Sequence, residues 1–279
     1  QVIDYNEGSG GVEYPIYYVE MQDPPNNITF TSMTEAEEYE CPWVGMNATI
    51  DGDKYIFSGD SQSGYEWVYN PSRLPVGYTE VEYIQNYAST SDSTNTLAYI
   101  NTNFTPTQNT RTIGDIKIDK ATKNPRIFGS GNWNILGYIV SCENTIGQSN
   151  SYIYYKYGQT SSWYTTSVNT DLNRHVYDLN NNGNFVIDNN VIASLPSTTF
   201  TCGVPMGIFT SQRTGSSVVD LGETIYGKLY SFKVYESGTL VRDLVPCINP
   251  SNVAGVYDIV NDVFYGSANS NSLIAGNPI

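Results

Sequence analysis

Histidine is almost missing from this chain: His175 is the only one in 279 residues. A single imidazole rules out a multi-histidine metal centre and two histidine-dependent proton transfers. Bases are scarce as well, 13 against 28 acids, for a formal charge of −15 at pH 7. Such a chain lacks the basic face that displaces counterions from phosphates, so nucleic acid is not expected as a partner. Long apolar runs are also absent. Nothing approaches the roughly 18 consecutive residues of a spanning helix, so membrane insertion is not expected either. The opening QVIDYNEGSGG has neither the basic nor the apolar region of a signal peptide, and the missing initiator Met suggests a processed or truncated start. Cys41, Cys142, Cys202 and Cys247 are far apart, with no C-x-x-C. Three disulfide pairings exist on paper, and four buried thiols is the favoured reading.

What is present is tyrosine and glycine, 24 of each, with 39% hydrophobic residues, enough to build a core. The charge is unevenly spread. Residues 1–72 hold 13 acids and one base, Lys54; residues 73–279 hold 15 acids and 12 bases. A shift this sharp marks a module boundary, at the Pro/Gly-punctuated stretch Asn70–Gly77. The expected organisation is an N-terminal segment (1–12), a small acidic α+β module (13–72) and a large second domain (73–279).

In the small module, Tyr14–Met21 reads as a strand and Asp23–Asn27 as a turn or loop. Thr34-x-x-Glu37 has capping-box spacing for a helix of one or two turns. Ala48–Ser58 reads as a hairpin turning at Asp51-Gly52, and Tyr65–Tyr69 as a further strand. The larger domain reads as β almost throughout. Tyr78–Ile84, Leu97–Asn101, Thr110–Asp119, Arg126–Gly129, Tyr152–Tyr157, His175–Leu179, Asn184–Asp188, Gly207–Thr210 and Leu229–Glu236 are short β-rich runs. Turn residues separate them at intervals typical of sandwiches and barrels. Asn182-Gly183 supplies one hairpin turn, Asn189-Asn190 the next and Asn261-Asp262 another. In Lys228–Glu236 strict alternation puts Tyr230, Phe232, Val234 and Glu236 on the core side and Leu229 on the other.

Several separated blocks then align in order with a known pattern. They are Leu74–Arg111 (LPVGYTEVEYIQNYAST through YINTNFTPTQNTR), RIFGS at Arg126–Ser130, the hairpin opened by His175, Tyr226–Ala268 and the final AGNP. Over about three quarters of the chain this resembles the laminin-G-like, concanavalin-type jelly-roll domains of phage and gut-bacterial surface proteins. The resemblance implies a mainly β protein: an antiparallel jelly-roll sandwich of two sheets, carried as a binding or display module on a larger particle, with no defined catalytic set. Residues 1–72 show no comparable match.

The function expected on that basis is non-enzymatic: a bacteriophage virion surface protein, as fibre, tail or capsid decoration. The jelly roll would meet host-surface glycans, and the acidic module would attach to other virion proteins, with a homotrimer as the candidate assembly. The alternatives are a polysaccharide-degrading glycoside hydrolase on the same fold and a bacterial cell-surface adhesin. For glycan contact the candidates are Trp133 with Asn132 and Asn134, and Trp163 with Gln159 and Tyr164. Aromatic platforms flanked by amides suit sugar recognition, while a Trp plugging an end of the sandwich is the structural alternative.

Hydrolysis needs two carboxyls about 5–5.5 Å apart for retention, or about 6.5–9.5 Å for inversion. The glucanase pattern E-x-D-x-x-E does not occur. Asp115 and Asp119 share a strand face about 13 Å apart with Lys117 between them, and Glu80 and Glu82 would lie about 6–7 Å apart. Glu80, Glu82, Asp178, Asp220 and Asp258 are the carboxylates whose positions test the hydrolase reading. His175 as a general base has no nucleophile or orienter in the pattern beside it and reads better as a hydrogen-bonded structural residue. Asp178-x-Asn180-x-Asn182-Gly183 imitates the start of a calcium loop but carries Asn189 at the twelfth position, so a hairpin turn is favoured. Calcium elsewhere on the sandwich rim stays open, and Asp51, Asp53 and Asp60 read as a solvated turn.

Overall fold

The computed structural model describes residues 27–39, 47–50, 53–60, 64–69, 74–91, 97–120, 125–131, 136–142, 152–159, 163–212 and 224–279. The chain divides into two compact units, Gln1–Ser72 and Arg73–Ile279.

The first unit contains β1 (Asn27–Phe30), α1 (Met33–Glu37), β2 (Asn47–Ile50), β3 (Asp53–Asp60) and β4 (Gly64–Tyr69). Its strands lie in sequence order in one sheet. β1 is parallel to β2, and the remaining pairs are antiparallel. Ile50 faces Asp53, which leaves two residues for the β2–β3 turn, as the Asp51-Gly52 dipeptide implies. The helix cap lies two residues before the expected one. Ser32 is extended, and its hydroxyl accepts from the Glu35 N–H at 3.3 Å. Glu35 in turn accepts from the Thr31 N–H at 2.7 Å, which holds its carboxyl below the ordinary value. The spacing of the motif was right, but Thr34 is already inside the helix. Phe30, Ala36, Ala48, Ile50 and Trp67 form a small core, and the Trp67 indole N–H donates to the Ala36 carbonyl at 2.9 Å. The expected strand at Tyr14–Met21 lies outside the described residues, as do Asp51 and the side chains of Asp53 and Asp60.

Among its described residues the second unit has eighteen strands. In chain order they are β5 (Thr79–Glu80), β6 (Ile84–Gln85), β7 (Ile100–Asn101), β8 (Thr110–Lys120), β9 (Arg126–Ser130), β10 (Gly137–Cys142), β11 (Tyr152–Gln159), β12 (Tyr164–Asn169) and β13 (Arg174–Asn181). There follow β14 (Asn184–Ile187), β15 (Asn190–Ser194), β16 (Gly207–Ile208), β17 (Ser211–Gln212), β18 (Tyr226–Glu236), β19 (Thr239–Ile248), β20 (Ala254–Asp258), β21 (Val263–Tyr265) and β22 (Ile274–Ala275). The smaller sheet runs β12-β11-β10-β9-β16-β7, with β17 on β9. The larger runs β15-β14-β13-β8-β18-β19-β20-β21, with β5, β6 and β22 attached. Almost all pairs are antiparallel, and residues of both sheets fill one buried cluster, the layout of a β-sandwich.

Local chemistry accounts for the hairpins. Asn182 and Gly183 have φ of 50° and 78° between β13 and β14, and Ser237 and Gly238 have 50° and 82° between β18 and β19. These are the left-handed conformations that two-residue turns require. The next turn is Asp188-Asn189, at φ 51° and 65°, because Ile187 pairs with Asn190. That is one residue earlier than expected; Ile187 is buried in the core, and this fixes the register. The last hairpin closes over four residues, since Asp258 pairs with Val263, and Asn261-Asp262 is only its second half.

Strand β8 obeys the two-residue period without interruption: Thr110, Thr112, Gly114, Ile116 and Ile118 are buried, and Arg111, Ile113, Asp115, Lys117 and Asp119 are half-buried between them. Its neighbour β18 does not. A bulge between Leu229 and Ser231 inserts Tyr230. Phe232 and Val234 face the core as alternation implies, but Leu229 joins them and is fully buried. An inserted residue reverses the parity of everything before it. The expected strand Tyr78–Ile84 is also broken. β5 pairs with β19, β6 with β18 and β22, and Val81 makes a single bridge to Pro278.

Buried polar groups tie distant segments together. Asn86 is fully buried. Its amide donates to the Ile225 and Ala98 carbonyls at 2.7 and 3.1 Å, and its carbonyl accepts from the Gly227 N–H at 3.0 Å. Cys142, Cys202 and Cys247 are buried free thiols, pushed by burial up to about 12, 11 and 12 respectively; Cys41 lies outside the described residues. Asn86→Ala deletes three hydrogen bonds worth about 1 kcal/mol each and strands their backbone partners. Urea unfolding should then show a loss of about 2–4 kcal/mol with an unchanged m-value.

Candidate functional site

Of the sequence candidates, Gln159 ends β11, Tyr164 opens β12 and Trp163 stands just before it. Tyr164 pairs with Tyr155 across the ladder, and the two rings stack at 5.0 Å and 15°. Tyr155 packs in turn on Phe185 of the opposite sheet at 5.4 Å. Tyr164 is therefore the rim of the core. Gln159 ends β11 half-buried, opposite Gly137. Trp163 is half-buried just before β12, with its ring 4.4 Å from the Arg126 guanidinium carbon and 5.7 Å from the Lys156 ammonium. Asn132, Trp133 and Asn134 lie outside the described residues.

The floor under Trp163 is what sequence reading missed. Ile153, Tyr155 and Tyr157 belong to the core, so Lys156 points to the other face of the smaller sheet. Lys156 is nevertheless fully buried, and Arg126 is 4% exposed. One guanidinium nitrogen donates to Ser141 Oγ at 2.9 Å, and that hydroxyl donates to the Pro125 carbonyl at 2.7 Å. Burial, reinforced by the Arg126 charge, lowers the Lys156 ammonium to about 8. In YIYYKYGQ the lysine looks like an ordinary solvent-facing residue of an alternating strand. Nothing local signals that the far face is covered there.

On the other face of the larger sheet the carboxylates are occupied. Arg111 grips both oxygens of Asp178, at 2.8 and 2.6 Å, and Arg174 grips those of Asp115, both at 2.7 Å. Such two-point contacts fix orientation as well as charge. Asp119 takes the Lys117 ammonium at 3.0 Å and the Tyr87 hydroxyl at 2.6 Å, and hydrogen bonding to Asp119 adds to burial in raising the Tyr87 phenol. Lys233 faces Asp243 at 3.2 Å. On the core-facing side of the same sheet, where Arg242 pairs with Val234 and Asp258 with Leu244, the fully buried Asp258 takes Arg242 at 3.3 Å and Asn261 at 2.8 Å. Asp115 and Asp119 do share a face with Lys117 between them, each with its own cation. Glu80 lies on β5 and Glu82 beyond the break after it, so the spacing derived for a continuous strand does not apply to them. Asp220 lies outside the described residues. The calcium-loop imitation is a hairpin, with Asp178 committed to Arg111 and Asn182-Gly183 making the turn. Among the described residues no group of three or more His, Cys, Asp or Glu side chains is placed to hold a metal ion.

His175 lies between two carboxylates. Its Nδ1 lies 2.6 Å from Asp188 and its Nε2 2.8 Å from Asp171. With both nitrogens engaged, a general-base role has no free lone pair to work with.

No family model matches this chain, and no curated protein matches it either. The case therefore stands on the residues. Trp163 lies against two cations, Arg126 and Lys156. Trp163→Ala should cost about 1–3 kcal/mol through the lost ring and its cation contacts, read as a lower midpoint in thermal or urea unfolding. An unchanged midpoint would show that the ring carries no structural load.

Proposed function

We propose that this protein is a non-enzymatic surface module of a bacteriophage particle, as fibre, tail or capsid decoration. Its larger unit is a concanavalin-like, laminin-G-like jelly roll that contacts host-surface glycans. The acidic first unit is a small α+β module that attaches to other virion proteins, in a homotrimer. The observation that carries this reading is the commitment of the sheet-face carboxylates. Asp115, Asp119, Asp178 and Asp243 each lie against a cation, with separations of 2.6–3.2 Å. A face neutralised this way serves as scaffold, and recognition falls to the Asn-, Gly- and Ser-rich connections at its ends. The ordered blocks that resemble phage and gut-bacterial surface domains support the same reading. So does the concentration of 13 acids and one base in residues 1–72, a composition suited to docking on a basic partner surface.

The test is a glycan array read alongside binding to bacterial cells, both with the full chain. Binding should appear on a subset of surface polysaccharides, be competed by the free sugar, and survive chelation of divalent ions. A blank array together with absent cell binding would remove the adhesive part of the proposal.

A further inference from the structure

The stretch 170–173 carries the chain from β12 in the smaller sheet to β13 in the larger. It has no strand pairing, and Thr170 is buried there with its hydroxyl unpartnered. Beside it is a cavity of about 10 Å³, walled by Ile153, Val168 and Ile187 on one side and by Thr170, Asp171 and His175 on the other. That is about the space a single water centre needs.

His175 fastens this crossover. A carboxylate oxygen only accepts hydrogen bonds, so an imidazole set between Asp171 and Asp188 must donate from both nitrogens, which only the cation can do. The adjacent Arg174 is turned to the opposite face of the strand and held there by Asp115, and the titratable groups on the ring's own face are neutral. Tyr177 on the same strand meets the ring edge-on at 6.0 Å, and Cys142 of β10 interacts with Tyr177; burial raises both. The β8 partner of His175 is the apolar Ile116.

Loss of the proton leaves a lone pair facing a carboxylate, and one of the two bonds must break. Asp188 is fixed without the histidine: its N–H donates to the Val176 carbonyl at 3.0 Å, and its Oδ1 accepts from the Val176 N–H at 2.8 Å. The other hydrogen bonds of Asp171 go only to Asn173, inside the crossover itself, at 2.7 and 3.0 Å. The crossover is the side that lets go.

We propose that His175 is a proton-operated latch that holds the β12–β13 crossover over the cavity beside Thr170 and releases it when the ring becomes neutral. The direction is set by linkage. Burial opposes the charge on His175, but the bonds to Asp188 and Asp171 outweigh it and lift the imidazole above its ordinary value. Asp171 is held below its ordinary value, again against burial, by His175 and Asn173. The stabilisation is thus complete below the unfolded imidazole value of about 6.5 and is lost as pH rises through the raised folded value. On the acid side it is present above the unfolded carboxyl value of about 3.9 and fades as pH falls through the lowered value of Asp171.

Because the chain has one histidine, its ring gives a single set of nitrogen and carbon resonances, and the intact protein can be titrated directly by NMR. Both ring nitrogens should show protonated shifts at pH 6, with a midpoint above 6.5. The amides of Asp171, Leu172 and Asn173 should move with that same midpoint, while those of Val176 and Asp188 move less. Asp171→Asn should lower the midpoint and uncouple the crossover amides from it. A midpoint at or below about 6.5, or crossover amides indifferent to the imidazole titration, would overturn the latch.

Discussion

The layer between the two sheets is filled by rings that reach across it and anchor on the far side. Tyr138 stands on β10, fully buried, with its hydroxyl 3.1 Å from Thr112 Oγ1 on β8 and 3.2 Å from the Leu179 carbonyl on β13. Tyr157 does the same from β11, donating to the Gln108 carbonyl at 2.5 Å. Phe128 meets Phe232 edge-to-face at 5.2 Å, again across the layer. A tyrosine fits such a site only if its hydroxyl finds a partner, since an unpaired one costs about as much as the burial gains. These contacts fix both the spacing of the sheets and their alignment, and everything carried on their outer faces and connections inherits that geometry.

The charges follow from the same constraint. A half-buried carboxylate on a sheet face needs a counter-ion, and the second unit has only 12 bases for its 15 acids. Arg111, Lys117, Arg174 and Lys233 go to the outer face of the larger sheet and Arg242 to its core-facing side, and each meets an aspartate. Arg174 also lies 3.6 Å from the centre of the Tyr230 ring, the residue inserted by the β18 bulge. The bulge that displaces Leu229 inward thus turns Tyr230 outward to stack on a guanidinium, linking a break in strand periodicity to the pairing of Asp115.

Local chemistry was legible wherever one residue decides the conformation. Asn182-Gly183 is a turn because both residues accept positive φ, and β8 is a strand with the inner and outer sides that its sequence alternates. Asp188-Asn189 and Asn189-Asn190 are equally good turns by composition, and only the burial of Ile187 chooses between them. Leu229 was misassigned because a bulge has no local signature in KLYSFKVYE. The Thr34 cap was misassigned because Ser32-x-x-Glu35 offers the same spacing. Of the site candidates, Gln159, Trp163 and Tyr164 are described. Tyr164 belongs to the core rim and Trp163 to a cover over Arg126 and Lys156. Asp171, His175 and Asp188 come together only because a crossover and a hairpin turn converge on one strand end, which no one-dimensional pattern encodes.

Among the described residues, the aspartates paired with cations hold the shape of a scaffold, and the proposed function assigns molecular contact to its connections. The most direct measurement is an assay for new reducing ends. A surface polysaccharide that the protein retards in affinity electrophoresis is incubated with an equimolar amount of it for days. The account predicts binding with no release of reducing ends above the blank. Sustained release, abolished by substitution of one carboxylate, would contradict it.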